Sequence, residues 1–196
     1  MIATTPKKTK KQTIIEEAAT LFREKGYVAT TMRDIAAQVG VEAASLYNHI
    51  KSKEEILSNI CFSLAEQYTN KMIEVAVTID TPIDKIISLL TMHVEVNAMN
   101  SSLASVMNDE WRYLSEPQRS DFLELRKTYE KKFTAIIQEG INQGTIQTFD
   151  AKISLYTMLS SIRWLQHWYH ANREMNVEDL NKTIIQLLMK GIQCQK

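Results

Sequence analysis

Apolar residues recur every three to four positions along most of this 196-residue chain, which is the spacing of one buried helix face. The first run predicts a helix over residues 10–25, after which Tyr27 and Val28 are expected to pack back onto the helices. Its predicted buried stripe consists of Ile14, Ile15, Ala18, Leu21 and Phe22. Two shorter runs, at 32–39 and 43–49, predict a second and a third helix packed on the first.

The runs after position 52 predict six further helices and no clear strand. The first of them has an inward side that consists of Ile56, Leu57, Ile60, Leu64, Tyr68 and Ile73. Pro82 suits the start of the next helix, because its fixed φ matches the first helical turn. The other predicted helices span 83–100, 101–114, 115–144, 151–169 and 177–192, with Gly140 and Gly144 ending the third of these. We therefore predict an all-α fold with a three-helix module at residues 1–53 and a six-helix body at residues 54–196.

The second and third predicted helices are joined by a tight turn. Thr31 precedes the second helix, with Asp34 three residues on, which is close to a capping box. Gly40 follows that helix and can adopt the left-handed conformation that ends it. In the third helix, Leu46 and Ile50 lie on the inner side, four residues apart. This order of helix, glycine turn and helix is that of the helix-turn-helix, whose second helix enters the major groove of DNA.

The side chains left on the outer side of these two helices suit contact with DNA. Base edges are read by small or polar side chains, for which the candidates are Ser45, Asn48 and His49. Phosphates are bound by hydroxyls and cations, for which the candidates are Thr31, Arg33, Tyr47 and Lys53. The alternative interpretation is an ordinary helical hairpin whose polar face is merely solvated.

The residues T-T-x-R-D-I-A, V-G-V, S-L-Y-N-H-I and S-K-E-E-I-L follow in order between positions 30 and 57. This series resembles the DNA-binding domain of the TetR (tetracycline-repressor) family of bacterial transcription regulators, over about residues 9–57. The matching positions are Thr30, Thr31, Arg33, Ile35, Ala36, Gly40, Val41, Leu46, Tyr47, His49, Ser52 and Lys53. Ala43 and Ile50 depart from the family's usual residues, and Glu42 is acidic beside the recognition helix, so the base preference stays open.

The resemblance implies a cytoplasmic, homodimeric, ligand-responsive repressor that binds a palindromic double-stranded DNA operator and is not an enzyme. Two recognition helices are needed to read a two-fold symmetric site, and in this family the last two helices usually pair with their mates. The residues expected at this dimer seam are Ile153, Met158, Ile162, Leu165, Ile184, Leu187, Leu188 and Ile192. The alternative is that this apolar stripe is core of the single chain.

Methionine and aromatic residues are spread over the middle helices of the body, and such side chains suit a pocket that adapts to a large apolar guest. The candidates for binding a hydrophobic effector are Met107, Trp111, Tyr129, Phe133, Trp164 and Trp168. The alternative is that most of them are simply core. The segment from Arg163 to His170 resembles a motif of TetR members that respond to acyl-CoA thioesters, although His170 stands where those members carry Arg or Lys. A second possible effector class is the planar or cationic compounds sensed by regulators of drug efflux.

The formal net charge is zero, but it is unevenly distributed: there are nine basic and five acidic residues through Lys53, against 14 and 18 after it. A mildly basic front suits a module that meets phosphate. The N-terminal arm ends in Lys7, Lys8, Lys10 and Lys11, and we expect it to be a solvated tail that could add DNA contacts.

Other classes of protein receive little support from the sequence. No apolar run approaches the length of about 18 residues that a membrane span needs. Cys61 and Cys194 are far apart and are expected to be reduced thiols without metal spacing. His167 and His170 could form a metal site with His93 and Asp109, as in a metal-binding helical enzyme, but no metalloprotease motif, phosphate loop or nucleophile elbow accompanies them. We therefore expect no cofactor and no metal.

Overall fold

The computed structural model describes residues 8–169 and 175–192, and its elements within these ranges are all helices. The module contains α1 (Lys10–Lys25), α2 (Met32–Val39) and α3 (Ala43–Tyr47). The body contains α4 (Lys53–Thr78), α5 (Pro82–Met99), α6 (Ser101–Asp109), a 3₁₀ turn (Trp111–Tyr113), α7 (Gln118–Asn142), α8 (Ala151–Arg163), α9 (Leu165–Trp168) and α10 (Val177–Ile192). The eighth predicted helix is divided at Trp164 into α8 and α9, which together take its place. The predicted all-α fold and the order of its elements are confirmed.

Helices α1, α2 and α4 begin at side-chain caps, whereas α3 follows Glu42 without a side-chain cap hydrogen bond. Thr9 and Thr31 each accept a hydrogen bond from the backbone three residues on and form complete capping boxes, and Ser52 caps α4 through the N–H of Glu55. The module's core includes the fully buried residues Ile14, Phe22, Ile35, Leu46 and Ile50. Because α4 begins at Lys53, the predicted boundary between residues 53 and 54 falls in the first turn of a continuous helix.

The prediction for the turn after α1 is half correct. Tyr27 is buried against Phe22 with ring centroids 5.1 Å apart, but Val28 is 67% exposed. The larger aromatic ring occupies the space beside the helices, and its neighbour turns outward.

Two lysines near the N-terminus are paired, Lys8 with Glu16 at 2.7 Å and Lys11 with Glu55 at 2.8 Å. Residues 1–7 of the predicted arm lie outside the described residues.

The long helix α4 runs from the module into the body. Its buried side includes Ile60, Leu64, Tyr68, Met72 and Val75, so the prediction that Ile73 faces inward was wrong. A helical stripe advances by three or four residues, and from Tyr68 that step leads to Met72 and Val75 rather than to position 73, which is 52% exposed. This helix packs against α5, α6 and α7.

Two helix ends in the body differ from the prediction. The predicted helix 101–114 stops at Asp109 and continues as the 3₁₀ turn. Gly140 does not end α7 but is buried within it, and a Cβ there would lie 2.5 Å from Cδ1 of Ile146. Gly140 therefore allows the side chain of Ile146 to approach α7 closely, while Gly144, with φ 70°, provides the left-handed turn after the helix.

The apolar stripe predicted for the dimer seam divides into two sets. Met158, Ile162, Leu165 and Ile184 are buried within the single chain. Ile153 on α8 and Leu187 on α10 are 67% and 68% exposed, and Leu188 is partly buried. The side chain of Ile192 lies outside the described residues. The exposed pair is the part of the stripe that remains available to a second copy of the chain.

Two further predictions, on the cysteines and on membrane-spanning helices, can be compared with the structure. Cys61 is a free, buried thiol, and burial raises its pKa to about 12, while Cys194 lies outside the described residues. Among the helices of the described ranges, none combines the length and apolar character needed to cross a bilayer.

Candidate functional site

The helix-turn-helix predicted at residues 31–50 is present. Gly40 ends α2 in the left-handed conformation, with φ 72° and ψ 39°, and its N–H bonds to the carbonyls of Ala36 and Ala37. The short helix α3 is anchored by Leu46 and by Ile50 just beyond its end, both fully buried as predicted. This anchoring fixes which side of α3 faces outward.

Five of the seven candidate DNA-binding residues are exposed. Tyr47 is 52% exposed, and Arg33, Asn48 and His49 are exposed beside it; among the described residues these four side chains have no hydrogen-bond partner. Their polar atoms are thus available to base edges and phosphates. The fifth exposed residue is Thr31, the N-cap of α2, whose hydroxyl already donates to the Asp34 carboxylate at 2.6 Å. Ser45 is half-buried.

Lys53 has partners inside the module that the sequence did not reveal. Its Nζ donates to the carbonyls of Tyr27 at 2.8 Å and Thr30 at 2.9 Å, and lies 4.4 Å from the centroid of the Tyr27 ring. The ammonium therefore holds the connection between α1 and α2 in place. Backbone carbonyls have no sequence signature, so no pattern could have indicated this role. Contact of Lys53 with phosphate stays a prediction.

A cavity of about 160 Å³ lies between α4, α5, α6, α7 and α8 of the body. The apolar and aromatic part of its lining consists of Ala65, Tyr68, Met107, Phe122, Leu125, Tyr129, Tyr156 and Leu159. The polar part consists of Thr69, His93, Asn97, Asn108, Arg126, Glu130, Ser160 and Arg163. The space would hold on the order of ten water molecules, which is enough for a small organic group.

The inner end of the cavity is formed by buried polar groups. Nε2 of His93 lies 2.8 Å from the Tyr129 hydroxyl, and the His93 ring lies against Tyr68 with centroids 4.5 Å apart. Burial lowers the pKa of His93 to about 4, so the imidazole is neutral at pH 7. Asn97, one turn further along α5, donates from Nδ2 to the His93 carbonyl at 2.8 Å.

The outer rim of the cavity carries charged groups, of which Arg126 and Arg163 are about half exposed. Arg126 pairs with Glu130 at 2.9 Å, and the Tyr156 hydroxyl donates to the same carboxylate at 2.8 Å. That hydrogen bond to Glu130 raises the pKa of Tyr156. Arg163 pairs with Asp109 across the gap between α8 and α6. Two arginines and one glutamate therefore line the rim, around an uncharged interior.

Comparison with known proteins identifies the family. The model for the tetracyclin repressor-like C-terminal domain matches residues 79–192, and the model for bacterial regulatory proteins of the tetR family matches residues 14–60. The chain belongs to the TetR family. This confirms the resemblance drawn from the helix-turn-helix residues and makes the protein a transcription regulator by membership.

Relatives of similar length align with almost the whole TetR-family chain. The transcriptional repressor KstR2 of Mycolicibacterium smegmatis is 28% identical over 182 residues, covering 91% of this chain and 88% of the relative. The fatty acid metabolism regulator protein of Bacillus subtilis is 26% identical, with 95% and 97% coverage. The solved structure of the ketosteroid regulator KstR2 of Mycobacterium tuberculosis has a TM-score of 0.88 at 21% identity, covers 96% of this chain and 97% of that one, and supports the fold.

Of the six candidate effector residues of this TetR-family member, the structure places two in the lining of the cavity and four outside it. Met107 and Tyr129 line the cavity. Phe133 is fully buried behind Tyr129, with ring centroids 6.1 Å apart, and Trp111 packs on Phe122 at 6.3 Å. Trp164 and Trp168 lie outside the lining, 43% and 37% exposed, with their rings 5.0 Å apart; their roles in effector binding stay predictions.

His93 and Asn97 are two cavity residues whose roles the sequence did not predict, like those of Arg126, Glu130 and Arg163 at the rim. They lie four residues apart on the apolar helix α5, and two polar residues at that spacing on an inward face could have indicated a buried polar site. His93 was instead a candidate metal ligand together with His167, His170 and Asp109. In the described part of the chain, no group of three or more metal-binding side chains comes together, and His170 lies outside it.

Proposed function

We propose that the chain is a dimeric transcriptional repressor that is released from a two-fold symmetric operator when its body binds an acyl-CoA thioester. The observation that carries the proposal is the cavity beside Tyr129, with an apolar and aromatic wall and two arginines at its rim. As a DNA-binding regulator of a bacterial family, it would act in the cytoplasm.

The wall of the cavity suits an acyl group. Met107, Phe122, Leu125 and Leu159 come from three different helices and present flexible or aromatic surface. Burying an acyl chain contributes about 0.8 kcal/mol per CH₂. Typical coupling between an effector and DNA is only about 1–3 kcal/mol. A few methylenes that are buried in the conformation released from DNA, and not in the DNA-bound one, would therefore supply the coupling free energy.

The rim suits the anionic remainder of a thioester. Arg126 and Arg163 are half exposed, and each is held by a single carboxylate partner, Glu130 and Asp109. A guanidinium binds phosphate with two parallel hydrogen bonds, so these arginines can exchange a carboxylate for the phosphates of coenzyme A. The name of the Bacillus subtilis relative, which concerns fatty acid metabolism, agrees with this class of effector.

The DNA-binding side of the proposal requires two copies of the chain. One recognition helix spans only a few base pairs, so two-fold symmetric sites need a dimer. Ile153 and Leu187 are the exposed apolar residues on α8 and α10 that would meet their counterparts. The outward residues Arg33, Tyr47, Asn48 and His49, with Thr31, Ser45 and Lys53, would contact the operator.

Selection of DNA from a random library with the purified protein would first supply an operator. We expect a two-fold symmetric sequence. Binding of the labelled operator, followed by fluorescence anisotropy, is then titrated with acyl-CoAs of increasing chain length, with free coenzyme A, with free fatty acids and with planar cationic drugs. We expect acyl-CoAs to release the DNA and coenzyme A alone to leave it bound. Release by the cationic drugs and not by any thioester would overturn the effector class and leave the DNA-binding assignment intact.

A further inference from the structure

The inner end of the cavity contains a buried hydrogen-bond acceptor that has no partner. Asn97 is 4% exposed, and its Oδ1 makes no hydrogen bond within the described residues. The orientation of the amide is fixed, because the other atom, Nδ2, donates at 2.8 Å to the carbonyl of His93, and a carbonyl can only accept. The unpartnered atom is therefore the oxygen.

The groups around Asn97 leave this oxygen to a ligand. A polar pair of the same lining, His93 and Tyr129, is already satisfied by the 2.8 Å contact between Nε2 and the hydroxyl. Asn97 itself lines the cavity. A buried acceptor without a donor is unfavourable, so a guest that brings a donor gains over one that does not.

We propose that Asn97 is a specificity-determining residue that accepts a hydrogen bond from a hydroxyl group on the acyl part of the effector. The inference rests on the proposed role of the cavity as the effector site. The O–H of the ligand donates to Oδ1. A plain alkyl chain would leave the oxygen unpaired, and a keto group would place a second acceptor against it.

The position of the hydroxyl follows from the shape of the site. Arg126 and Arg163 at the rim are about half exposed, with side-chain values of 48% and 50%, whereas Asn97 is 4% exposed at the inner end. An acyl group whose thioester lies at the rim thus brings its far end toward Asn97. The predicted ligand is therefore an acyl group hydroxylated at or near its terminus.

Isothermal titration calorimetry of the full-length protein tests this with matched ligands. Plain and terminally hydroxylated acyl groups of four to twelve carbons are compared at each length, both as CoA thioesters and as free acids. We expect the tightest hydroxylated ligand to bind about tenfold better than its plain partner, the value of one added hydrogen bond. Equal affinity within every pair would overturn the proposal.

Two variants separate Asn97 from the rest of the lining. Asn97→Leu replaces the amide by an apolar group of similar size and should abolish the preference while still binding the plain ligand. The matched control is Asn108→Leu, since Asn108 also lines the cavity but already donates to Gln166 at 2.9 Å, and it should keep the preference. A preference that survives in Asn97→Leu would contradict the proposal; if that variant does not fold, the comparison of pairs in the wild-type protein decides alone.

The two kinds of ligand distinguish this inference from the proposed function. A preference for hydroxylated free acids, with no binding of any thioester, would support the role of Asn97 and overturn the thioester. Binding of plain and hydroxylated thioesters with equal affinity would support the thioester as effector and overturn the role of Asn97. Failure of every ligand to bind would overturn both.

Discussion

The ring of Tyr27 in the module stacks on the ring of Tyr113 in the body, with centroids 5.5 Å apart and planes inclined by 23°. Tyr113 belongs to the 3₁₀ turn that follows α6, and α6 supplies Met107 and Asn108 to the cavity. Tyr27 in turn lies under the Lys53 ammonium that holds the connection between α1 and α2. A short path of contacts therefore joins the cavity to the helix-turn-helix.

Loss of the tyrosine stack should uncouple effector from DNA. In Tyr113→Ala, we expect effector affinity to stay within about twofold, while the ratio of DNA affinities without and with effector falls severalfold, a loss of about 1 kcal/mol of coupling. Tyr113→Phe keeps the ring and should behave as wild type. Anisotropy with labelled operator measures the ratio. An unchanged ratio in Tyr113→Ala would remove this contact from the path, leaving the packing of α1 on α6 and the continuous helix α4 to connect the module with the body.

Lys53 should contribute to stability as well as to DNA binding. Lys53→Ala removes the donor shared by the Tyr27 and Thr30 carbonyls, so we expect unfolding to become easier by about 1–2 kcal/mol, measured by urea denaturation. If the ammonium also reaches a phosphate, the salt dependence of operator binding should lose about one unit of slope. Tyr47→Phe is the contrasting variant, because its exposed hydroxyl has no partner in the described chain. It should weaken binding to all DNA sequences alike at unchanged stability, and unchanged stability in Lys53→Ala would contradict the internal role.

Assembly should depend on the exposed residues of α8 and α10. Ile153→Glu with Leu187→Glu would place unpaired charge in the proposed seam, which is costly. We expect a folded monomer by sedimentation velocity, with operator affinity strongly reduced. Leu188 is partly buried in the single chain, so it is left unchanged. The matched control is Ile73→Glu on α4, an exposed isoleucine outside the seam, which should remain dimeric. A wild-type monomer, or a double mutant that stays dimeric, would contradict the seam.

The buried His93 should make stability fall with acidification. Its pKa in the folded protein is lowered to about 4 by burial, below the ordinary value near 6.5, so the unfolded chain binds the proton first. The contribution of the neutral His93 to the free energy of unfolding is complete above pH 6.5 and is lost as the pH falls toward 4. The expected loss between pH 7 and pH 5 is about 2 kcal/mol. Denaturation across that range should show a smaller loss in His93→Gln, whereas the exposed His49→Gln should follow the wild type. Parallel curves for all three proteins would contradict the assignment.

The helices and the exposed polar face of the helix-turn-helix could be predicted because both depend on spacing and local chemistry. The bounds of α1 and the caps at Thr31 and Ser52 follow from such patterns. The anchoring residues Leu46 and Ile50 follow from the four-residue interval. The family resemblance added what spacing alone could not decide, namely that the chain is a transcription regulator, and this makes the polar outer face the expected contact with DNA.

The site in the body could be predicted only in part, for physical reasons. Periodicity shows which side of a helix is apolar, but not which gap between helices stays open. Met107 on α6 borders the open gap. Phe133 also lies on the buried face of its helix, α7, but it fills solid core. Trp164 and Trp168 are large and apolar, yet Trp164 lies at the interruption between α8 and α9, Trp168 lies at the end of α9, and both are partly exposed. The pairing of Asn97 depends on a backbone carbonyl, which leaves no trace in the sequence.

Filling the cavity tests the central claim most directly. Ala65 lines the cavity from α4, while Ala76 on the same helix is exposed, so Ala65→Phe and Ala76→Phe form a matched pair. With the acyl-CoA that releases the wild type best, operator anisotropy is measured for all three proteins. We predict that both variants bind the operator as tightly as the wild type, and that Ala65→Phe alone needs at least tenfold more acyl-CoA for release. Release of Ala65→Phe at the wild-type concentration would show that the effector acts elsewhere.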